Sequence, residues 1–161
     1  MNAMEICNYG CVAAGYPDYN PGVYDDILRS GRRIYCIAAD DNHNVNEDSF
    51  GGFTVIKADS LDYETVTKAL TDGNFYASQG PEIYDLWVED GKVHVTCSDA
   101  AEIYFNTGVR KAKRVLAAEG ESLNSAEFEI LPEYKYVRVT VVDRAGKPAN
   151  TNAYFIDNIK L

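Results

Sequence analysis

Leu86-Trp87-Val88-Glu89-Asp90-Gly91-Lys92-Val93-His94-Val95-Thr96-Cys97 is the stretch whose reading decides the fold. Two apolar-rich runs flank Asp90-Gly91, and Asp-Gly favours the tight turn in which both central residues take positive φ. In the second run Val93, Val95 and Cys97 alternate with His94 and Thr96. A period of two puts the apolar side chains on one face of a strand and the polar ones on the other. The stretch reads as a β-hairpin with His94 on its polar face. Downstream, strand patterns recur at residues 102–106, 114–118, 126–130, 136–142 and 153–159, with a turn at Asp143-Arg144-Ala145-Gly146. Short strands at near-regular spacing predict an antiparallel β-sandwich.

Upstream of Ser78-Gln79-Gly80-Pro81 the rhythm changes. Residues 4–7, 34–39 and 53–58 read as strands, 8–19 and 40–49 as loops. Asn20-Pro21 supplies an N-cap and a proline at the first helical position. Tyr24, Ile27 and Leu28 then share a helical face, and Gly31 is placed to end that helix. A second helix is expected over residues 63–70, capped by Asp62 and stopped by Asp72-Gly73. Strand–helix–strand–loop–strand–helix is the order of an α/β barrel or a doubly wound sheet. The fold class expected is therefore α+β, with an α/β segment at 1–77 followed by a β-sandwich at 78–161.

The 161 residues carry a formal charge of −10. The basic stretches are short, the longest being Arg110-Lys111-Ala112-Lys113-Arg114. Nucleic-acid binding needs a basic footprint that displaces counterions, so it is not expected. Cys7, Cys11, Cys36 and Cys97 form no C-x-x-C pair, and three lie in apolar or alternating runs. The reading is reduced, buried thiols; a Cys7–Cys11 disulfide is the alternative. No apolar run approaches the roughly 20 residues that span a bilayer, and no basic, apolar leader is read at the N-terminus. No membrane association and a cytoplasmic location are the expectations.

Asp40-Asp41-Asn42-His43 follows the apolar strand 34–39. On an extended chain residues two apart point the same way, so Asp41 and His43 could converge on one ion. Imidazole and carboxylate suit Zn²⁺, Mn²⁺ or Fe²⁺. Asp and Asn also favour turns, so the same four residues could be a polar loop and nothing more. Trp87 stands out of step with Leu86 and Val88, as a core or sheet-face aromatic or as a ring for stacking on a sugar. Gly51-Gly52 lacks the strand–loop–helix setting of a phosphate cradle.

The stretch 34–43, a strand ending in D-x-H, resembles the last metal-binding motif of the polymerase and histidinol phosphatase (PHP) family of phosphoesterases. Met4-Glu5-Ile6-Cys7-Asn8 resembles that family's preceding E-x-x-N strand, and residues 24–33 its W-D-x-L-L-x-x-G-R helix. Gly51-Gly52-Phe53-Thr54-Val55 and Gly73-Asn74-Phe75-Tyr76-Ala77-Ser78-Gln79-Gly80-Pro81 resemble its closing strand and its G-x-F-Y-A-S-x-G-P segment. Residues 143–152 resemble the ending of a C-terminal sandwich found in some members. The resemblance implies a PHP-type barrel segment at 1–77, with Asp41 and His43 as metal ligands and Glu5, Asn8 and Asp40 at the barrel mouth. It implies divalent metals (Mn, Zn or Fe), a phosphorylated substrate and hydrolysis by metal-activated water.

The family's opening H-x-H is missing. The sequence has two histidines, His43 and His94, so the expectation is the C-terminal part of such an enzyme, with no catalytic residue of its own and inactive alone. The alternative is a non-enzymatic β-sandwich module for binding or assembly. An incomplete barrel leaves strand edges and the Tyr24–Ile27–Leu28 stripe uncovered. Self-association through residues 1–60, as a homodimer, is the preferred expectation, and docking of that segment onto its own sandwich the other.

Overall fold

A computed structural model describes residues 2–44 and 47–159. Met1, Lys160 and Leu161, at the ends of the two expected segments, and Val45 and Asn46 of the expected polar loop lie outside the described residues. The chain runs β1 (Ala3–Asn8), α1 (Tyr9–Ala13), α2 (Pro21–Arg29), β2 (Tyr35–Ala39), β3 (Phe53–Ile56), α3 (Tyr63–Asp72), β4 (Phe75–Ser78), β5 (Ile83–Glu89), β6 (Lys92–Ala100), β7 (Glu102–Thr107), β8 (Ala112–Leu116), β9 (Leu123–Glu129), β10 (Tyr136–Val142), β11 (Pro148–Thr151) and β12 (Tyr154–Phe155). Among the described residues β1 and β2 are the one parallel pair; the other strand pairings are antiparallel.

Asp90 and Gly91 turn the β5–β6 hairpin with φ of 49° and 72°, and Val93, Val95 and Cys97 are buried as the alternation requires. β5, β6 and β9 form a three-stranded sheet. It faces a larger sheet in the order β3-β4-β11-β10-β7-β8, with β12 attached to β10. Ile103, Phe105, Val137, Val139 and Val141 of the larger sheet share one core with Val93, Val95, Cys97 and Phe128 of the smaller. That is a sandwich arrangement, and the fold is mostly β.

The larger sheet also crosses the expected division at 77/78. β4 pairs with β11 through Ala149–Ser78, Asn150–Ala77 and Thr151–Tyr76, and β3 pairs with β4. β3 and β4 thus run antiparallel within the sandwich's own sheet, where a barrel would set its strands parallel. Asn152 fixes this junction, since its amide donates to the carbonyls of Gly73 and Phe75, both at 2.9 Å. The strand expected at 153–159 is instead β12 followed by a 3₁₀ turn at Ile156–Asn158.

The β1–α2–β2 unit lies on the outer face of the larger sheet. Ile6, Cys7, Tyr24, Leu28, Ile34, Cys36 and Ala38 bury themselves there with Ala77 and Tyr136. Removing a Leu- or Tyr-sized side chain from water contributes about 1.5–3 kcal/mol, so Tyr24 and Leu28, 0% and 2% exposed, are major anchors. A buried polar network sits beside them. Arg138 donates to both oxygens of Asp25 at 2.7 and 2.6 Å and to Thr140 Oγ1 at 3.0 Å. Tyr136 also donates to Asp25, at 3.2 Å.

This docking takes up part of the surface on which self-association is expected. The α2 stripe is covered by the chain's own sheet. The free edge of β1 is taken by residues 18–20, through Asn8 N–H to Asp18 O and Asn20 N–H to Ile6 O. On the other side, the Thr54 hydroxyl bonds both the N–H and the carbonyl of Ala38, and Asn152 accepts the Cys36 N–H.

Candidate functional site

Asn8 ends β1 opposite Ala39, the last residue of β2, so the expected site residues gather at the C-terminal ends of two parallel strands. Asn8 is 8% exposed. Its Oδ1 accepts the Cys11 N–H at 2.9 Å and caps α1, a single helical turn where a loop was expected. Its Nδ2 donates to Asp41 Oδ2 at 3.1 Å and to Glu5 Oε2 at 3.4 Å. One amide therefore holds two carboxylates at the mouth, and an acceptor-only carboxylate needs such donors when crowded by another.

The i, i+2 geometry assumed for Asp41 and His43 does not hold. β2 stops at Ala39, and Asp41 takes φ 49°, a left-handed conformation that ends strand alternation. The Asp41 side chain turns to Asn8, while His43 is exposed. Its Nδ1 lies 2.6 Å from the Asp41 carbonyl. A carbonyl only accepts, so Nδ1 donates here and leaves Nε2 as the ring nitrogen available to a ligand. That is the orientation ligating histidines commonly have.

Asp40 turns away from the mouth. Its carboxylate accepts the N–H groups of Phe50, Gly51 and Gly52 at 2.6, 2.9 and 2.7 Å. Gly51 and Gly52 are needed there for close approach. A Cβ on Gly51 would come within 2.3 Å of the Tyr9 ring, and one on Gly52 within 2.8 Å of the Ala39 carbonyl. Asp48, which sequence reasoning missed, orders the same loop by accepting the N–H groups of His43 and Asn44. The His43 N–H is the main cause of its lowered pKa. The signal was an Asp closing a turn-rich stretch, a residue type that accepts nearby backbone N–H groups.

The thiols near the mouth are poor nucleophiles. Burial first, then Asp18, Glu5 and Asp40, pushes Cys7 up to about 11. Desolvation, Asp18 and Asp41 also raise Cys11. All four cysteines are free thiols. His94 lies on the outer face of its sheet, stacked on Trp87 with ring centroids 5.1 Å apart.

Among the described residues no group of three or more His, Cys, Asp or Glu side chains is placed to hold one metal ion. The described residues thus do not by themselves fit the divalent cluster that the resemblance implies. Also among them, no helix is long and apolar enough to cross a membrane. In comparisons with known proteins, the chain matches no family model, no curated protein and no solved structure.

Proposed function

We propose that the chain is the C-terminal part of a metal-dependent phosphoesterase of the PHP type, inactive on phosphoesters by itself. The observation that carries this reading is the convergence of Glu5, Asn8 and Asp41 at the ends of β1 and β2, with the Asp41 carbonyl holding His43 so that Nε2 is free. In this reading Asp41 and His43 are ligands contributed to a site completed by further segments. Asn8 orients Asp41, and Asp40 and Asp48 fix the loop that carries His43. Two ligand side chains leave a transition metal mostly hydrated, so no hydrolytic step is assigned to this chain alone.

The test has two arms. The purified chain with Mn²⁺ should leave p-nitrophenyl phosphate intact. The natural polypeptide that contains this sequence should hydrolyse phosphoesters with Mn²⁺ and lose that activity in Asp41→Asn and His43→Ala. Hydrolysis by the chain alone, abolished by His43→Ala, would overturn the incompleteness. A natural polypeptide without metal-dependent hydrolysis would leave the second reading, a binding module, which the sandwich's self-contained core favours.

A further inference from the structure

A second cleft opens between β4 and β5, where the two sheets of the sandwich part. Its volume is about 230 Å³, and Lys57, Asn74, Tyr76, Tyr84, Asp85 and Tyr154 line it. None of these belongs to the Asp41–His43 site. Drug-sized ligands occupy pockets of roughly 300–1,000 Å³, so this cleft suits a single ring and not an extended molecule.

Three tyrosines line one small cleft. Tyr84 and Tyr154 are 59% and 39% exposed, leaving apolar ring area available for stacking. The polar groups are arranged to both donate and accept. Tyr76 Oη accepts the Ile83 N–H at 3.1 Å, so its own proton is available to donate. Asp85 Oδ1 receives Lys57 Nζ at 3.3 Å and the Leu86 N–H at 3.0 Å. Its Oδ2 has no protein donor among the described residues, and the Asn74 side-chain amide has no partner among them either.

Charge decides the class of ligand. The cleft's cation, Lys57, is already paired with Asp85, and the chain as a whole carries −10. A phosphate would have to displace Asp85 against that field. A wholly apolar ligand would strip water from Asn74, Asp85 and Tyr76 and return no hydrogen bonds. A pyranose has an apolar C–H face for the tyrosine rings and hydroxyls that both donate and accept.

We propose that this cleft binds one pyranose ring of a neutral glycan, stacked on Tyr84 and Tyr154 and hydrogen-bonded by Asp85, Asn74 and Tyr76. The site is independent of the phosphoesterase reading. Saturation-transfer difference NMR on the full chain, with methyl glucoside, methyl galactoside, methyl mannoside and N-acetylglucosamine at millimolar concentration, tests it. At least one sugar should bind, and Tyr84→Ala and Tyr154→Ala should each weaken it about ten-fold, equivalent to about 1.4 kcal/mol. Both rings are exposed, so the fold, followed by circular dichroism, should be unchanged; His43→Ala should leave binding intact. Tyr154→Phe, which keeps the stacking ring, should bind as the parent does and serves where the alanine variant misfolds. Failure of all four sugars to bind overturns the proposal. So does binding that survives both alanine variants, or glucose 6-phosphate binding more tightly than methyl glucoside in a manner that depends on Lys57.

Discussion

The two faces of the larger sheet are closed by different chemistry. Toward the three-stranded sheet the contact is apolar, with Phe105 and Phe128 stacked at 5.5 Å among valines and isoleucines. Toward β1–α2–β2 a smaller apolar cluster surrounds a buried ion pair, Arg138–Asp25, with Tyr136, Thr140 and Asn150 in its hydrogen-bond network. An apolar interface degrades gradually as its area is trimmed. A charged one depends on each partner, since removing one leaves the other buried and uncompensated. The sandwich core is therefore the tolerant half, and the docked unit the half that a single substitution can detach.

The largest expected effect follows from that contrast. Arg138→Met should cost about 3–5 kcal/mol, read as a lowered urea midpoint, because Asp25 is left buried without its ion-pair partner. Asp25→Leu combined with Arg138→Met should recover most of the loss. If the single variant is nearly neutral, the network does not hold the unit as described. A smaller effect separates the halves by thiol labelling. Cys7, Cys36 and Cys97 are buried and Cys11 is partly exposed, so in the native protein Cys11 alone should react, slowly, with a thiol reagent. At urea concentrations below the main transition, Cys7 and Cys36 should become reactive before Cys97, by mass spectrometry of labelled peptides. Simultaneous labelling would make the two halves one cooperative unit.

The smallest effect is local to α3. Asp62 caps this helix, and hydrogen bonds from Ser60 first, then Thr65, hold its pKa at about 2, below the ordinary 3.8. A depressed acid stabilises the fold fully above its unfolded value and loses that contribution as pH falls through its folded one. The Thr65 amide resonance, whose N–H bonds Asp62 Oδ1 at 2.9 Å, should therefore titrate near about 2. A midpoint near 3.8 would remove the cap.

Local signals carried much of this fold into the sequence. Asp90-Gly91, the alternation through Cys97, and the Asp62 and Gly73 ends of α3 all depend on neighbours close in the chain. β11 was not legible, because Pro148-Ala149-Asn150-Thr151 is buried on both sides and shows no alternation. Its Asn150 is stabilised by Thr140 and Arg138, on the strand paired with it across the turn. The candidate site was half legible. Glu5, Asn8 and Asp41 do meet, but the turn at Asp41 depends on Asn8 and on the Asp40-held loop, and no three-letter pattern encodes those contacts.

β10 serves both faces at once, with Val137, Val139 and Val141 in the sandwich core and Tyr136, Arg138 and Thr140 turned to the docked unit. A strand of alternating valines could slide by one residue and still look apolar. Here a one-residue slip would exchange the two sets, driving a guanidinium into a core with no carboxylate and stranding Asp25 against valine. Arg138 thus works as a parity check on the register of β10, whatever else the ion pair contributes to stability.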